Sequence, residues 1–194
     1  YGNATIGNTQ NLNGEISYGK LAMRDGKNIT LDTKYSIIEI DKANEMRLTS
    51  KYDSYEIGSV VDFKNNGKYD KFKIRSVQNL TINSAYVNLD VQRLDGFADL
   101  DCNYGALNVQ SVSKDFTEVR FSGNYFDVRL DVDAGTEFRL DASTNYADIK
   151  YPSNFTATHD NSTGKSQQVE GYLGNKNAKG LIKANLNYGN LKIQ

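Results

Sequence analysis

The chain has no tryptophan, one proline, one cysteine and one histidine among its 194 residues, and each scarcity closes a route. A lone Cys102 cannot form an intrachain disulfide, so no cystine framework holds this fold together. A lone His159 cannot build a zinc centre, and Cys102 is far from it in sequence, so no metal, no cofactor and no Cys/His nucleophile pair is expected. Net charge is lacking too: 23 Lys and Arg against 24 Asp and Glu leave −1, which removes the electrostatic footprint of a nucleic-acid binder. No apolar run approaches the roughly 18 residues that cross a bilayer, so no transmembrane segment is expected and the chain should be soluble. It opens at Tyr1 in the middle of a repeat, a start that fits an exported protein whose leader or anchor has been removed.

What is abundant is tyrosine, 13 residues of it, and the tyrosines recur. The unit is Tyr-x-x-Φ-x-Φ, with Φ apolar, as in Tyr18-Gly-Lys-Leu-Ala-Met23, Tyr35-Ser-Ile-Ile-Glu-Ile40, Tyr86-Val-Asn-Leu-Asp-Val91 and Tyr146-Ala-Asp-Ile-Lys-Tyr151. From Tyr1 the spacing is 17 five times over, then 18, 21 and 21, and a last gap of 42 reads as two turns of 21 with one copy decayed near Gln167. Upstream of each Tyr the residues alternate with period two: Ile29, Leu31 and Thr33 before Tyr35, and Leu80, Ile82 and Ser84 before Tyr86, with polar residues between. Period two is strand periodicity.

These columns predict an all-β fold, a single-stranded parallel β-helix (β-solenoid) of about ten rungs of 17–21 residues, right-handed by the usual preference of parallel connections. One domain is expected over 1–194: regular rungs over 1–152, an irregular loop or hairpin excursion over 153–180 after Pro152, and a last rung over 181–194. The excursion reads either as a binding loop or as a cap that blunts the sheet edge.

Few residues carry chemistry. Asp99 with Asp101, and Asp131 with Asp133, each share a strand face, but the rungs beside the first pair offer Thr81, Asn83, Arg120 and Ser122, so a solvated face is expected and not a catalytic dyad. Immediately before the tyrosines stand Lys34, Lys51 and Lys68, then Asn103, Asn124, Asn145 and Asn187. Stacked Asn amides can bond to one another along the coil. The lysines repel one another, and with Arg47, Lys64, Lys71, Lys73 and Arg75 they could form a basic patch for an acidic glycan or another polyanion, with Glu39, Asp53, Glu56 and Asp70 expected to neutralise it. The tyrosine column shares the parity of the inward positions upstream and reads as a packed corner. Tyr55, Phe97, Phe126 and Tyr172 stand outside that column. Together with Lys34, Lys51, Lys68 and His159 they are the candidate ligand contacts.

Units such as Asn103-Tyr-Gly-Ala-Leu-Asn-Val109 and Leu186-Asn-Tyr-Gly-Asn-Leu-Lys-Ile193, with Gly171-Tyr-Leu-Gly174 before the last, resemble a family of bacterial adhesin domains common in Bacteroidetes and similar to auto-transporter adhesin head domains. The resemblance implies a β-solenoid exported to the periplasm, outer membrane or cell surface, with a role in adhesion or scaffolding and no catalytic residues. The reading that follows is a non-enzymatic surface module whose partner is a glycan or another surface protein. A glycan-active enzyme and a scaffold that stacks end to end are the alternatives.

Overall fold

Alternating side chains make each repeat a strand, and strands that cannot cover their own apolar face stack on their neighbours. The computed structural model describes residues 2–194; Tyr1, the first copy of the repeat, lies outside them. β1 (Gly2–Ser17), β2 (Gly19–Lys34), β3 (Ile37–Lys51), β4 (Ser54–Lys68), the long β5 (Lys71–Val112) and β6 (Glu118–Val132) wind on in sequence order. They form an all-β solenoid of about eight turns where the repeat suggested about ten. Pairing is parallel and advances by one repeat per turn, so Leu21, Ile38, Tyr55 and Phe72 lie side by side across four rungs. The core is the set of inward columns, such as Ile29, Met46, Phe63 and Leu80, all 1% exposed or less.

At every corner tyrosine among the described residues the chain does something the sequence parity concealed. Nine of them, from Tyr18 to Tyr188, have φ between 51° and 64°, the left-handed region. That conformation slips the alternation by one residue. Positions two before the tyrosine point inward, as Thr33 and Ser84 do, and so do positions one, three and five after it, as Val87, Leu89 and Val91 do. The tyrosine itself is left outside at 40–52% exposure. The expected packed corner is therefore corrected: the rings are a surface feature.

Left-handed backbone costs an L-residue about 1–2 kcal/mol, most for β-branched side chains. In Tyr86→Gly the conformation becomes free while stacking on both sides is lost, and a stability loss of about 1 kcal/mol is expected. Tyr86→Val loses the same stacking and retains the strain, so its urea midpoint should fall well below that of Tyr86→Gly. Equal midpoints would show that the corner does not hold Tyr86 left-handed.

The end of the chain departs from a simple stack. β7 (Phe138–Asn145) and β8 (Ile149–Lys150) begin the next turn, followed by β9 (Thr156–Thr163), β10 (Ser166–Leu173), β11 (Gly180–Asn187) and β12 (Leu191–Ile193). β11 does not add at the end: it lies between β6 and β7, parallel to both, with Ala184 beside Phe121 on one side and Ala142 on the other. β12 likewise lies between β6 and β8. The stretch around Gln167 is not a decayed rung. β10 runs antiparallel to β7 and forms a hairpin with β9, with Gly164 left-handed in the turn. All of β9 is exposed, and Tyr151 Oη ties the hairpin down by donating to Asp160 Oδ2 at 2.6 Å. Of the two expectations for 153–180, the hairpin lies where an edge-covering cap would lie.

Candidate binding face: the tyrosine ladder and its lysine flank

Because the corner recurs in register, the nine outward rings form one file. Neighbouring centroids are 4.6–5.1 Å apart and the rings lie within 16° of parallel. The file follows space and not sequence: after Tyr125 comes Tyr188, and after that Tyr146. Each interior ring has both faces covered by its neighbours. What the file presents outward is ring edges and hydroxyls.

One residue before the tyrosines a second file runs alongside. Lys34, Lys51 and Lys68 occupy consecutive rungs in register. Lys34 Nζ lies 5.8 Å from the Tyr35 centroid and Lys51 Nζ 5.4 Å from that of Tyr52. Among the described residues none of the three joins an ion pair, whereas Lys20 meets Glu39 at 2.5 Å and Arg120 holds Glu118 at 2.8 Å. Further along, the same column is the asparagine ladder expected from the sequence. Asn124 donates to Asn103 at 2.8 Å, Asn187 to Asn124 at 3.0 Å and Asn145 to Asn187 at 2.8 Å.

Asp53 and Asp70 do not neutralise the lysines; they are 3% and 1% exposed, beneath the corner. Each sits one residue after its tyrosine, where the slipped parity points inward, and each caps the backbone of the rung before it. Asp53 accepts from the Ser36 N–H at 2.6 Å and the Thr33 hydroxyl at 2.9 Å, and Asp70 accepts from the Asp53 N–H at 2.9 Å and the Ser50 hydroxyl at 2.7 Å. Burial raises both carboxyls above their ordinary value, Asp70 to about 6. Burial likewise raises the Tyr55 hydroxyl, which shares a hydrogen bond with Thr33.

Of the eight candidate contacts, the structure brings together only the three lysines. Tyr55 and Phe126 are corrected: at 1% and 0% exposure they are core and have no surface for a ligand. The inward phase after each corner claims both, and Tyr55 stacks on Phe72 at 4.6 Å. Phe97 and Tyr172 are half-buried on β5 and β10, away from the ladder, and His159 is exposed on β9 opposite Glu170. Cys102 is fully buried, and burial pushes its thiol up to about 12, as befits a core filler. Among the described residues no group of His, Cys, Asp or Glu is placed to hold a metal, and no helix is long and apolar enough to cross a membrane.

A polar depression of about 650 Å³ lies on another long face, where Glu39, Asp41, Glu56 and Asp90 alternate with Lys73 and Arg75. Asp131 is held by Arg129, while Asp133 is bonded to Ser111 at 2.6 Å and Arg93 at 3.2 Å. Asp99 stands in a column that continues as Arg120, Lys183 and Asp141, two cations in the middle with an acid on each outer side. Comparison of the chain with protein-family models, with curated proteins and with solved structures finds no match.

Proposed function

We propose that this chain is a non-enzymatic binding module of the cell envelope or surface, an adhesin-like rod that presents a long face to its ligand. The supporting observation is the exposed tyrosine ladder. A corner that needs left-handed backbone is most cheaply made by glycine, at no steric cost. This chain places tyrosine there nine times, at about 1–2 kcal/mol of backbone strain each. Ring stacking offsets that by about 0.5–1.5 kcal/mol per contact, so the ladder is close to neutral for stability. Strain held in register on an exposed surface is a feature of binding faces. The exported location rests on the resemblance of the repeat unit.

The depression around Glu39, Asp41, Glu56 and Asp90 favours a second reading, a glycan-active enzyme. Its acids are interleaved with Lys73 and Arg75, a face of mixed charge and not the isolated pair of carboxyl groups that glycoside hydrolysis uses. End-to-end stacking meets the exposed polar β9 at one end of the rod.

A glycan array probed with the full chain and with a Tyr35→Gly/Tyr69→Gly variant tests the proposal, since glycine keeps the corner. Retention of glycans by the parent chain and loss by the variant, with an unchanged circular-dichroism spectrum, is the expected result. Release of reducing ends from any bound glycan, or binding indifferent to the two substitutions, would overturn it.

A further inference from the structure

The geometry points to a linear acidic glycan, one carrying a carboxylate on each sugar, as the ligand of the tyrosine ladder, laid along the rod with its charges against Lys34, Lys51 and Lys68. This rests on the binding-module reading above and names its ligand class.

Four observations carry it. The first is unspent charge. Like charges on neighbouring strands destabilise a sheet, yet Lys34, Lys51 and Lys68 are direct neighbours in register and make no ion pair among the described residues. Arginines elsewhere on the rod do hold acids, Arg93 with Asp95 and Arg120 with Glu118 among them. The second is the surroundings. Beyond the lysine column, two residues further out, the acids end at Asp32; Thr49 and Asn66 continue that line. On the other side of the tyrosines Lys71 adds charge of the same sign, and Lys20 is already paired with Glu39. Asp53 and Asp70 lie below the corner, buried and occupied by hydrogen bonds.

The third observation is what the rings offer. Neutral sugars and nucleic-acid bases stack on open aromatic faces. Here interior faces are closed by neighbouring rings at 4.6–5.1 Å. Ring edges carry partial positive charge, so the exposed edges and hydroxyls suit oxygens and anions. The fourth is the repeat. Hydroxyls recur at each strand step of about 4.8 Å along the ladder, and ammonium groups join them on the three rungs of Lys34, Lys51 and Lys68, a step close to the rise of one sugar in an extended chain. A polymer with one carboxylate per sugar meets that array in phase, and each further rung adds a contact without further loss of freedom.

The test is titration of the full chain with oligogalacturonate, with maltooligosaccharide of equal length as neutral probe and oligo-dT as a different polyanion. Oligogalacturonate is expected to bind, about tenfold or more weaker in Lys34→Gln/Lys51→Gln/Lys68→Gln and weaker as salt rises. A variant with the same change of charge away from the ladder, Lys42→Gln/Lys73→Gln/Arg75→Gln, with Lys73 and Arg75 in the depression and Lys42 on another side of the rod, is expected to bind as the parent does. Equal losses in both variants, or oligo-dT bound as tightly with the same lysine dependence, would overturn the inference in favour of unspecific charge. Maltooligosaccharide bound through the tyrosines, with oligogalacturonate ignored, would sink the acidic ligand and leave the binding module standing. Failure of every glycan would sink both.

Discussion

Leu186→Asp is expected to be among the most damaging single substitutions in this chain, lowering stability by about 4 kcal/mol, the range for a charge buried without a partner. Leu186 belongs to the last long strand, β11, and in a simple stack it would lie on the terminal rung with one side open. It is instead fully buried, with Gly123 of β6 on one side and Thr144 of β7 on the other. Its bulk fills the space that those two smaller residues leave. Equilibrium urea unfolding measures the cost. A loss below 1 kcal/mol would mean that β11 is peripheral. A second measurement keeps the topology testable if the variant does not fold. Asn124 and Asn187 are neighbours in register, whereas Asn124 and Asn145 are two strand steps apart, about 10 Å. In Asn124→Cys/Asn187→Cys a short thiol-reactive crosslinker should therefore react faster than in Asn124→Cys/Asn145→Cys. The reverse order of rates would return β11 to the end of the rod.

That insertion explains where reading the sequence stopped. The period of 17 fixes parallel register wherever consecutive repeats are neighbours, and Ile29, Met46, Phe63 and Leu80 show it directly. Spacing carries no information on the order of rungs once a chain can fold back. The gap of 42 between Tyr146 and Tyr188 fits a missing copy as well as it fits a hairpin and a return. Only the side chains at 156–173 bear on it, and these are polar on both faces of β9.

The corner slip is written in the sequence, though residue type masks it. Before each tyrosine the inward residues fall at even offsets, Ile29, Leu31 and Thr33, and after it at odd offsets, Ile38 and Ile40. Two alternations out of phase require a slip between them, and the tyrosine is the residue that takes it, at φ 51° for Tyr35. Following the phase through that slip would have placed Ser36, Asp53, Asp70 and Phe126 inside and the rings outside. Residue type hid it, because aspartate one residue after a lysine and a tyrosine reads as surface. The lysine column needed no such correction: register alone brings Lys34, Lys51 and Lys68 together.

Asp70→Asn should remove most of the pH dependence that this buried corner imposes on folding. Burial raises the Asp70 carboxyl from 3.8 to about 6, with the facing Asp53 adding to it, against bonds from the Asp53 and Lys68 N–H groups and the Ser50 hydroxyl. Proton counting at Ser50 gives the same direction. Its one hydroxyl proton faces two acceptors, Asp70 Oδ2 at 2.7 Å and Asn65 Oδ1 at 2.8 Å. A protonated Asp70 completes the chain by donating to Ser50 Oγ, which then donates to Asn65. Folding thus favours the protonated carboxyl, and its contribution is full below the unfolded value and is lost as pH rises through about 6. The amide of D70N donates to Ser50 at every pH. Between pH 4 and pH 7 the parent chain should therefore lose on the order of 1–3 kcal/mol relative to D70N. Urea midpoints of both chains across that window measure the difference, and the comparison cancels the carboxylates they share. Parallel pH profiles, or a parent chain that gains on D70N as pH rises, would show that Asp70 folds as the carboxylate and that Asn65 finds its donor elsewhere.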